Sequence, residues 1–180
     1  NEFLKRSLIQ PEIETLPRLL RKYAQQNPDG VAIRQKKYGI WKELTWLGYD
    51  REAAKCAHGL IASGYSRGDH LAILSENRQE WLIAELGMQF VGLVPAGVYP
   101  TSPAPEVLHI LRATDARAVI CEDQEQVDKI VENDEALPHL KKVVVFDPRG
   151  TRSSRQTRRT VLPARCKTSC SFFLICAAIL

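Results

Sequence analysis

Gly68-Asp69-His70-Leu71-Ala72-Ile73-Leu74-Ser75-Glu76-Asn77-Arg78-Gln79-Glu80-Trp81 is the stretch on which the fold turns. Turn-forming residues bound the apolar run of residues 70–74 closely on both sides, which predicts a short buried strand rather than a helix. Asn77 then opens a helix. Between residues 78 and 90 the polar stripe assigned to the surface is Arg78, Glu85 and Gln89, and the helix is expected to be buried over most of its circumference.

Towards the carboxyl end the alternation continues. Residues 93–99 read as a strand, and Ser102 and Pro103 suit the N-cap and first turn of a helix carrying Val107, Leu108 and Leu111 on one side. Residues 118–121 read as a strand, Val127, Ile130 and Val131 mark a short amphipathic helix, and the β-branched run 142–146 is a further strand before Asp147-Pro148. Strands alternating with crossover helices of about ten residues imply an α/β fold with a parallel, doubly wound sheet flanked by helices.

Towards the amino end the pattern differs. Leu16, Leu19, Leu20, Tyr23 and Ala24 fall on one helical face, with Thr15 placed to cap its start and Asn27-Pro28-Asp29-Gly30 to stop it. Residues 31–35 and 40–46 flank Tyr38-Gly39 as the two arms of a hairpin would. Thr45 is placed to cap a second helix whose apolar face is Leu47, Ala53, Ala54, Ala57, Leu60 and Ile61, ended by Gly64.

The chain has 180 residues, is 44% hydrophobic and 26% charged, and carries a formal charge of +4. Those values fit a globular protein able to bury a core. The basic excess is local: residues 151–180 hold six Lys or Arg and no acid, so residues 1–150 carry 19 bases against 21 acids. Net charge therefore gives the globular part no electrostatic reason to bind nucleic acid or an anionic membrane, and nucleic-acid binding is not expected of it.

Of the five cysteines, Cys56 and Cys121 lie in apolar periodic segments, where a thiol behaves as a small hydrophobe. A reducing, cytoplasmic setting fits them. The first ten residues carry Glu2, Lys5 and Arg6 and have no secretory signature. The apolar residues 171–180 would span roughly 15 Å as a helix against a hydrocarbon core of about 30 Å, too short to cross a bilayer.

Chemical motifs are sparse. No Gly-x-x-x-x-Gly-Lys loop and no Gly-x-Ser-x-Gly elbow occur. Gly87, Gly92 and Gly97 run in fives, away from a strand-to-helix turn, and read as close-packing glycines rather than a dinucleotide fingerprint. Ser75 and Ser102 read as turn or cap residues. His58, His70, His109 and His139 are scattered, with none at metal-ligand spacing, and Cys166, Cys170 and Cys176 do not match a zinc knuckle. Glu122-Asp123 follows a strand, where general-acid chemistry is conceivable and helix capping by Asp123 is the commoner role. Trp81 reads first as a core or contact residue and second as a ligand-stacking ring. Tyr99-Pro100-Thr101-Ser102-Pro103 leaves a strand at the carboxyl edge, where such sheets bind ligands.

Several strings go further by resemblance. Thr15-Leu-Pro with Tyr23-Ala and Asn27-Pro28-Asp29, Trp41-Lys-Glu-Leu-Thr-Trp46, and above all residues 64–81 resemble the start of an adenylate-forming ligase. The 71–81 string and Gly97-Val-Tyr-Pro-Thr-Ser102 are most similar to the long-chain fatty acyl-CoA synthetases, and Ala116-Arg-Ala-Val-Ile-Cys121 and Val143-Val-Val-Phe-Asp147 continue the likeness. The resemblance covers roughly residues 10–150 and implies an incomplete, amino-terminal portion of the adenylate-forming fold. It implies a parent activity that uses ATP, Mg and coenzyme A to convert a fatty acid to its acyl-CoA through an acyl-adenylate.

That family's phosphate loop ending in Pro-Lys-Gly, its Tyr-Gly-x-Thr-Glu motif, its ribose-binding Asp and its catalytic Lys match nothing in residues 151–180. No catalytic, cofactor-binding or metal residue is therefore carried onto this numbering, and no cofactor is expected for these residues alone. Residues 1–150 are read as a partial AMP-binding domain and 151–180 as an unrelated basic, then apolar, tail. A shifted reading frame, a misassembly and a natural truncation are the three origins considered for it. Self-association through the globular part is conceivable, and membrane contact by the tail is not expected. The competing readings are a non-enzymatic α/β interaction module and a different nucleotide-binding α/β domain, the latter disfavoured by the missing glycine loops.

Overall fold

The computed structural model describes residues 15–147 and the backbone of 160–163. The chain divides into two compact units, Asn1–Arg51 and Glu52–Leu180.

In the first unit, helix α1 (Leu16–Gln26) buries Pro17, Leu20 and Ala24. Leu16 and Tyr23 remain 55% and 40% exposed, so the apolar face is narrower than the spacing implies. Thr15 stands at the N-cap in extended backbone, yet its side chain makes no cap bond, and Asn27 ends the helix by donating its N–H to the Tyr23 carbonyl. Strands β1 (Val31–Lys37) and β2 (Ile40–Thr45) pair antiparallel. Their two-residue turn places Tyr38 at φ 51° and Gly39 at φ 80°, the left-handed pair that matches the natural twist of a hairpin. Thr45 Oγ1 accepts the Gly48 N–H at 3.1 Å, capping helix α2 (Trp46–Ala62) as its position predicts. The Tyr23 and Trp46 rings stack at 5.1 Å.

In the second unit, α2 buries Ala53, Cys56, Ala57 and Leu60 and ends at Gly64, whose φ of 82° suits a residue without a Cβ. Ile61, expected on the apolar face, is 57% exposed. The chain then alternates: β3 (His70–Leu74), α3 (Gln79–Phe90), β4 (Val94–Val98), α4 (Ala104–Ala113), β5 (Ala118–Cys121), α5 (Gln124–Val131) and β6 (Lys142–Val145). A single 3-10 turn, Asp134–Ala136, lies before β6. The strands form a parallel sheet in the order β4-β3-β5-β6-β7, where β7 is Thr160–Pro163. None of the described helices is long and apolar enough to cross a membrane.

Strand order explains the layers. The chain steps from β3 outward to β4, then returns across β3 to β5, so right-handed crossovers place α3 on one face and α4 and α5 on the other. Ala72, Leu74, Val119, Cys121, Val143 and Val145 share one core cluster with α4 and α5 residues such as Val107, Leu111, Val127 and Ile130. Leu71, Ile73, Ile120 and Val144 alternate with them, point to the opposite face by the two-residue period, and are equally buried. Doubly wound topology, expected from the alternation, is present.

Three details depart from expectation. Strand β7 pairs with β6 in the register Lys142↔Thr160 to Val145↔Pro163, so the sheet continues past Gly150, where the sequence pattern stops. With only two apolar residues, Val161 and Leu162, the strand is too short for a period to register. The N-cap of α4 is Pro103, with Pro105 in the first turn, one residue beyond the expected Ser102 cap. The N-cap of α3 is Arg78, again one residue later than Asn77.

Candidate functional site

Reversal of strand order at β3 opens a crevice at the carboxyl edge of the sheet, since the loop after β3 leads to α3 on one face while the loops after β4 and β5 lead to α4 and α5 on the other. Three segments meet this edge: residues 75–78 after β3, 99–103 after β4, and 122–123 after β5.

Glu122 organises the switch point. Its Oε2 accepts the Glu76 N–H at 2.8 Å and the Ser75 hydroxyl at 3.2 Å, and its Oε1 accepts Arg78 Nη1 at 2.9 Å. Arg78 Nε also donates to Glu80 Oε2 at 3.0 Å. Arg78, Glu80 and Glu122 side chains are only 16%, 4% and 22% exposed. One guanidinium thus neutralises part of two largely dehydrated carboxylates, an arrangement viable only because every charged group is also hydrogen-bonded. Glu80 gains further from its place in the first turn of α3, where a carboxylate faces the positive end of the helix dipole.

A second tether shapes the loop after β4. Lys129 Nζ, reaching from α5, donates to the Pro100 carbonyl at 2.6 Å and the Ser102 carbonyl at 3.2 Å. The Ser102 N–H bonds the Tyr99 carbonyl at 3.1 Å, closing the turn, and Ser102 is buried. Between the loops lies a cavity of about 300 Å³ walled by Ser75, Asn77, Trp81, Gly97, Tyr99 and Pro100. A Cβ on Gly97 would stand 3.3 Å from Trp81 Cζ2, so the missing side chain is what lets the indole lie across β4. Two aromatic walls with a few polar groups can hold a small, partly apolar ligand.

Asp123 is the N-cap of α5, accepting the Gln126 N–H at 3.2 Å, while its neighbour Glu122 serves the ion pair with Arg78. Ser75 donates its hydroxyl to Glu122 and to the Glu76 carbonyl, as befits a turn residue. Trp81 is half-buried and lines the cavity. Gly87 is a close-packing glycine: a Cβ there would lie 2.6 Å from Cys56 Cβ and Sγ. Gly92 instead supplies a left-handed turn at φ 74°.

Cys56 and Cys121 are buried free thiols whose pKa is pushed up by burial, which disfavours the reactive thiolate. His58, His109 and His139 are exposed and His70 is half-buried. Among the described residues no group of three or more His, Cys, Asp and Glu is placed to hold a metal. Cys166, Cys170 and Cys176 lie outside the described residues.

Buried Glu80 escaped the sequence reading, which left it out of the polar stripe of α3. The available signal was a carboxylate two residues after Arg78, at the start of an otherwise apolar helix.

The profile of the AMP-binding enzyme family matches residues 20–168, and the chain belongs to that family of adenylate-forming proteins. Among curated relatives it is 29% identical to the long-chain-fatty-acid--CoA ligase ACSBG2 of Xenopus laevis, over 73% of this chain and 18% of that one. It is 30% identical to Rv1549 of Mycobacterium tuberculosis, a protein described as uncharacterized, over 70% of each. Its fold is similar to that of part of the acetoacetyl-CoA synthetase from Streptomyces lividans, with a TM-score of 0.71 at 21% identity over 82% of this chain and 24% of that one. The chain therefore spans under a fifth of the length of the ligase it matches.

Proposed function

We propose that residues 1–180 are the scaffold-forming part of a fatty acyl-CoA ligase, which activates a carboxylate as its acyl-adenylate and passes the acyl group to coenzyme A. The observation that carries this reading is the 71–81 string, which resembles the long-chain synthetases and whose strand β3 lies at the topological switch point of a parallel sheet. Its support comes from the family match and from ligase relatives.

In this reading the residues at the carboxyl edge position loops and do not transfer groups. Glu122 and Arg78 fasten the loop after β3 to β5, and Lys129 fastens the loop after β4 to α5. Glu80 and Glu122 are not expected to hold the Mg of Mg-ATP, because both are engaged by Arg78, whose charge would repel a cation. These 180 residues alone are expected to make neither acyl-adenylate nor acyl-CoA, because the family motifs that would supply the electrostatic groups for phosphoryl-type transition states match nothing in residues 151–180. A reducing cytoplasm belongs to the same proposal, on the strength of the two buried free thiols.

The test is pyrophosphate release by the purified 180-residue chain with Mg-ATP, coenzyme A and a series of fatty acids, with calorimetric titration of ATP alongside. No turnover above a boiled control is expected. Turnover, or ATP affinity tighter than about 1 mM, overturns the scaffold assignment.

A second reading, a stand-alone non-enzymatic module, has one observation in its favour: the match to Rv1549 spans 70% of that protein too, so a relative of similar size exists. Native mass spectrometry separates the two. A defined self-assembly or partner complex of the 180-residue chain supports the module.

A further inference from the structure

The β1–β2 hairpin concentrates large apolar and basic side chains at one end. Tyr38, Ile40 and Trp41 are 78%, 67% and 59% exposed there. The register sets Lys36 opposite Trp41, Lys37 opposite Ile40 and Lys42 opposite Gln35, so three lysines interleave with the three apolar residues. Lys36 Nζ lies 5.9 Å from the Trp41 ring centre and Lys37 Nζ 6.0 Å from that of Tyr38. The hairpin's single carboxylate, Glu43, is bound by Arg34 at 2.6 Å, so the lysines define the charge of the tip.

Folding does not account for this composition. Tyr38 sits at φ 51°, where Asn or Gly is favoured and a bulky residue is strained. Ile40 and Trp41 leave most of their surface in water, which apolar burial alone disfavours. We propose that this tip docks on an anionic lipid bilayer, with Tyr38, Ile40 and Trp41 entering the headgroup layer and Lys36, Lys37 and Lys42 meeting the lipid anions. Aromatic rings flanked by lysine suit the membrane–water interface, where an amphipathic ring and a snorkelling ammonium are both satisfied. A nucleic acid would use the rings and lysines but not Ile40, which has no π face and no hydrogen-bonding group. The inference stands on the hairpin alone and is independent of the proposed ligase function.

Co-sedimentation of the full 180-residue chain with vesicles tests it. Binding is expected to phosphatidylcholine vesicles containing phosphatidylserine, and to weaken with pure phosphatidylcholine and with raised salt. Replacing Lys36, Lys37 and Lys42 by Glu, or Tyr38, Ile40 and Trp41 by Ser, is expected to lower the partition coefficient about tenfold or more. Circular dichroism checks that each variant folds. If the serine variant does not fold, the lysine variant decides. Fluorescence quenching by brominated lipid is expected to fall in Trp41→Phe, which retains Trp46 and Trp81. Absence of vesicle binding, unchanged binding by the lysine variant, or binding of an oligonucleotide without vesicles overturns the proposal.

Discussion

Arg78 and Glu122, 44 residues apart in sequence, meet at 2.9 Å across the switch point of the sheet. Their contact joins the end of β3 to the end of β5 and brings the nearly buried Glu80 under the same guanidinium. Replacing Arg78 by Met is expected to cost about 2–4 kcal/mol, because it leaves Glu80 and Glu122 dehydrated without their cation. The double variant Arg78→Met with Glu80→Met should recover part of that loss. Urea denaturation of both proteins measures it, and equal stabilities of wild type and Arg78→Met would refute the account.

Asp69 and Arg117 form a second long-range pair, at 2.5 Å. The hydrogen bond from Arg117, seconded by the Ser66 N–H, holds the Asp69 carboxyl below its ordinary range. A depressed folded-state pKa contributes stability that is complete above the unfolded value and is lost as pH falls through the folded one. Thermal unfolding should therefore show a loss of stability as pH falls below the ordinary carboxylate value of about 3.9 that is shallower in Asp69→Asn. Parallel pH profiles for the two proteins would contradict this assignment.

Tyr65 is 8% exposed, and among the described residues its hydroxyl has no hydrogen-bond partner. Burial, the leading cause, pushes its pKa up to about 12. The ring lies 6.0 Å from the Arg117 guanidinium and 5.8 Å from Lys142 Nζ, contacts that a phenylalanine ring keeps. Tyr65→Phe is consequently expected to be neutral or stabilising by about 1 kcal/mol, since it removes only a dehydrated hydroxyl. A loss above about 1 kcal/mol in chemical denaturation would mean that the hydroxyl is satisfied.

Gly87 sits inside α3, where alanine would by itself favour the helix by about 1 kcal/mol. A Cβ at that position would stand 2.6 Å from Cys56 Cβ and Sγ and 3.1 Å from the Ala53 carbonyl oxygen, all on α2. Overpacking of a fixed helix–helix contact costs about 1–3 kcal/mol, and the clash involves backbone and a fully buried side chain. Gly87→Ala is expected to destabilise on balance, and a raised melting temperature would show that the helices separate freely.

Residues whose consequences are local were legible in the chain. Thr45 and Asp123 cap helices where their spacing places them, Tyr38-Gly39 turns the hairpin, and the apolar runs at 70–74 and 118–121 are buried strands. Each depends on backbone sterics or on hydrogen bonds three or four residues long, which the sequence states directly. The alternation of strand and helix also implied the parallel doubly wound sheet, because right-handed crossovers leave few other arrangements.

Strand order, by contrast, is decided by which edges pair. Only the tertiary structure placed β3 between β4 and β5 and thereby located the crevice. Non-local partners were equally hidden: nothing near Glu122 announces Arg78, and nothing near Lys129 announces the Pro100 and Ser102 carbonyls. Even a strand escaped, since the short β7 owes its place to pairing with β6 rather than to a period of its own. By itself the sequence determined the local elements other than β7, the class of sheet and, through its motifs, the family. The geometry of the edge was left to folding, because contacts between distant residues depend on chain topology, to which local propensity is blind.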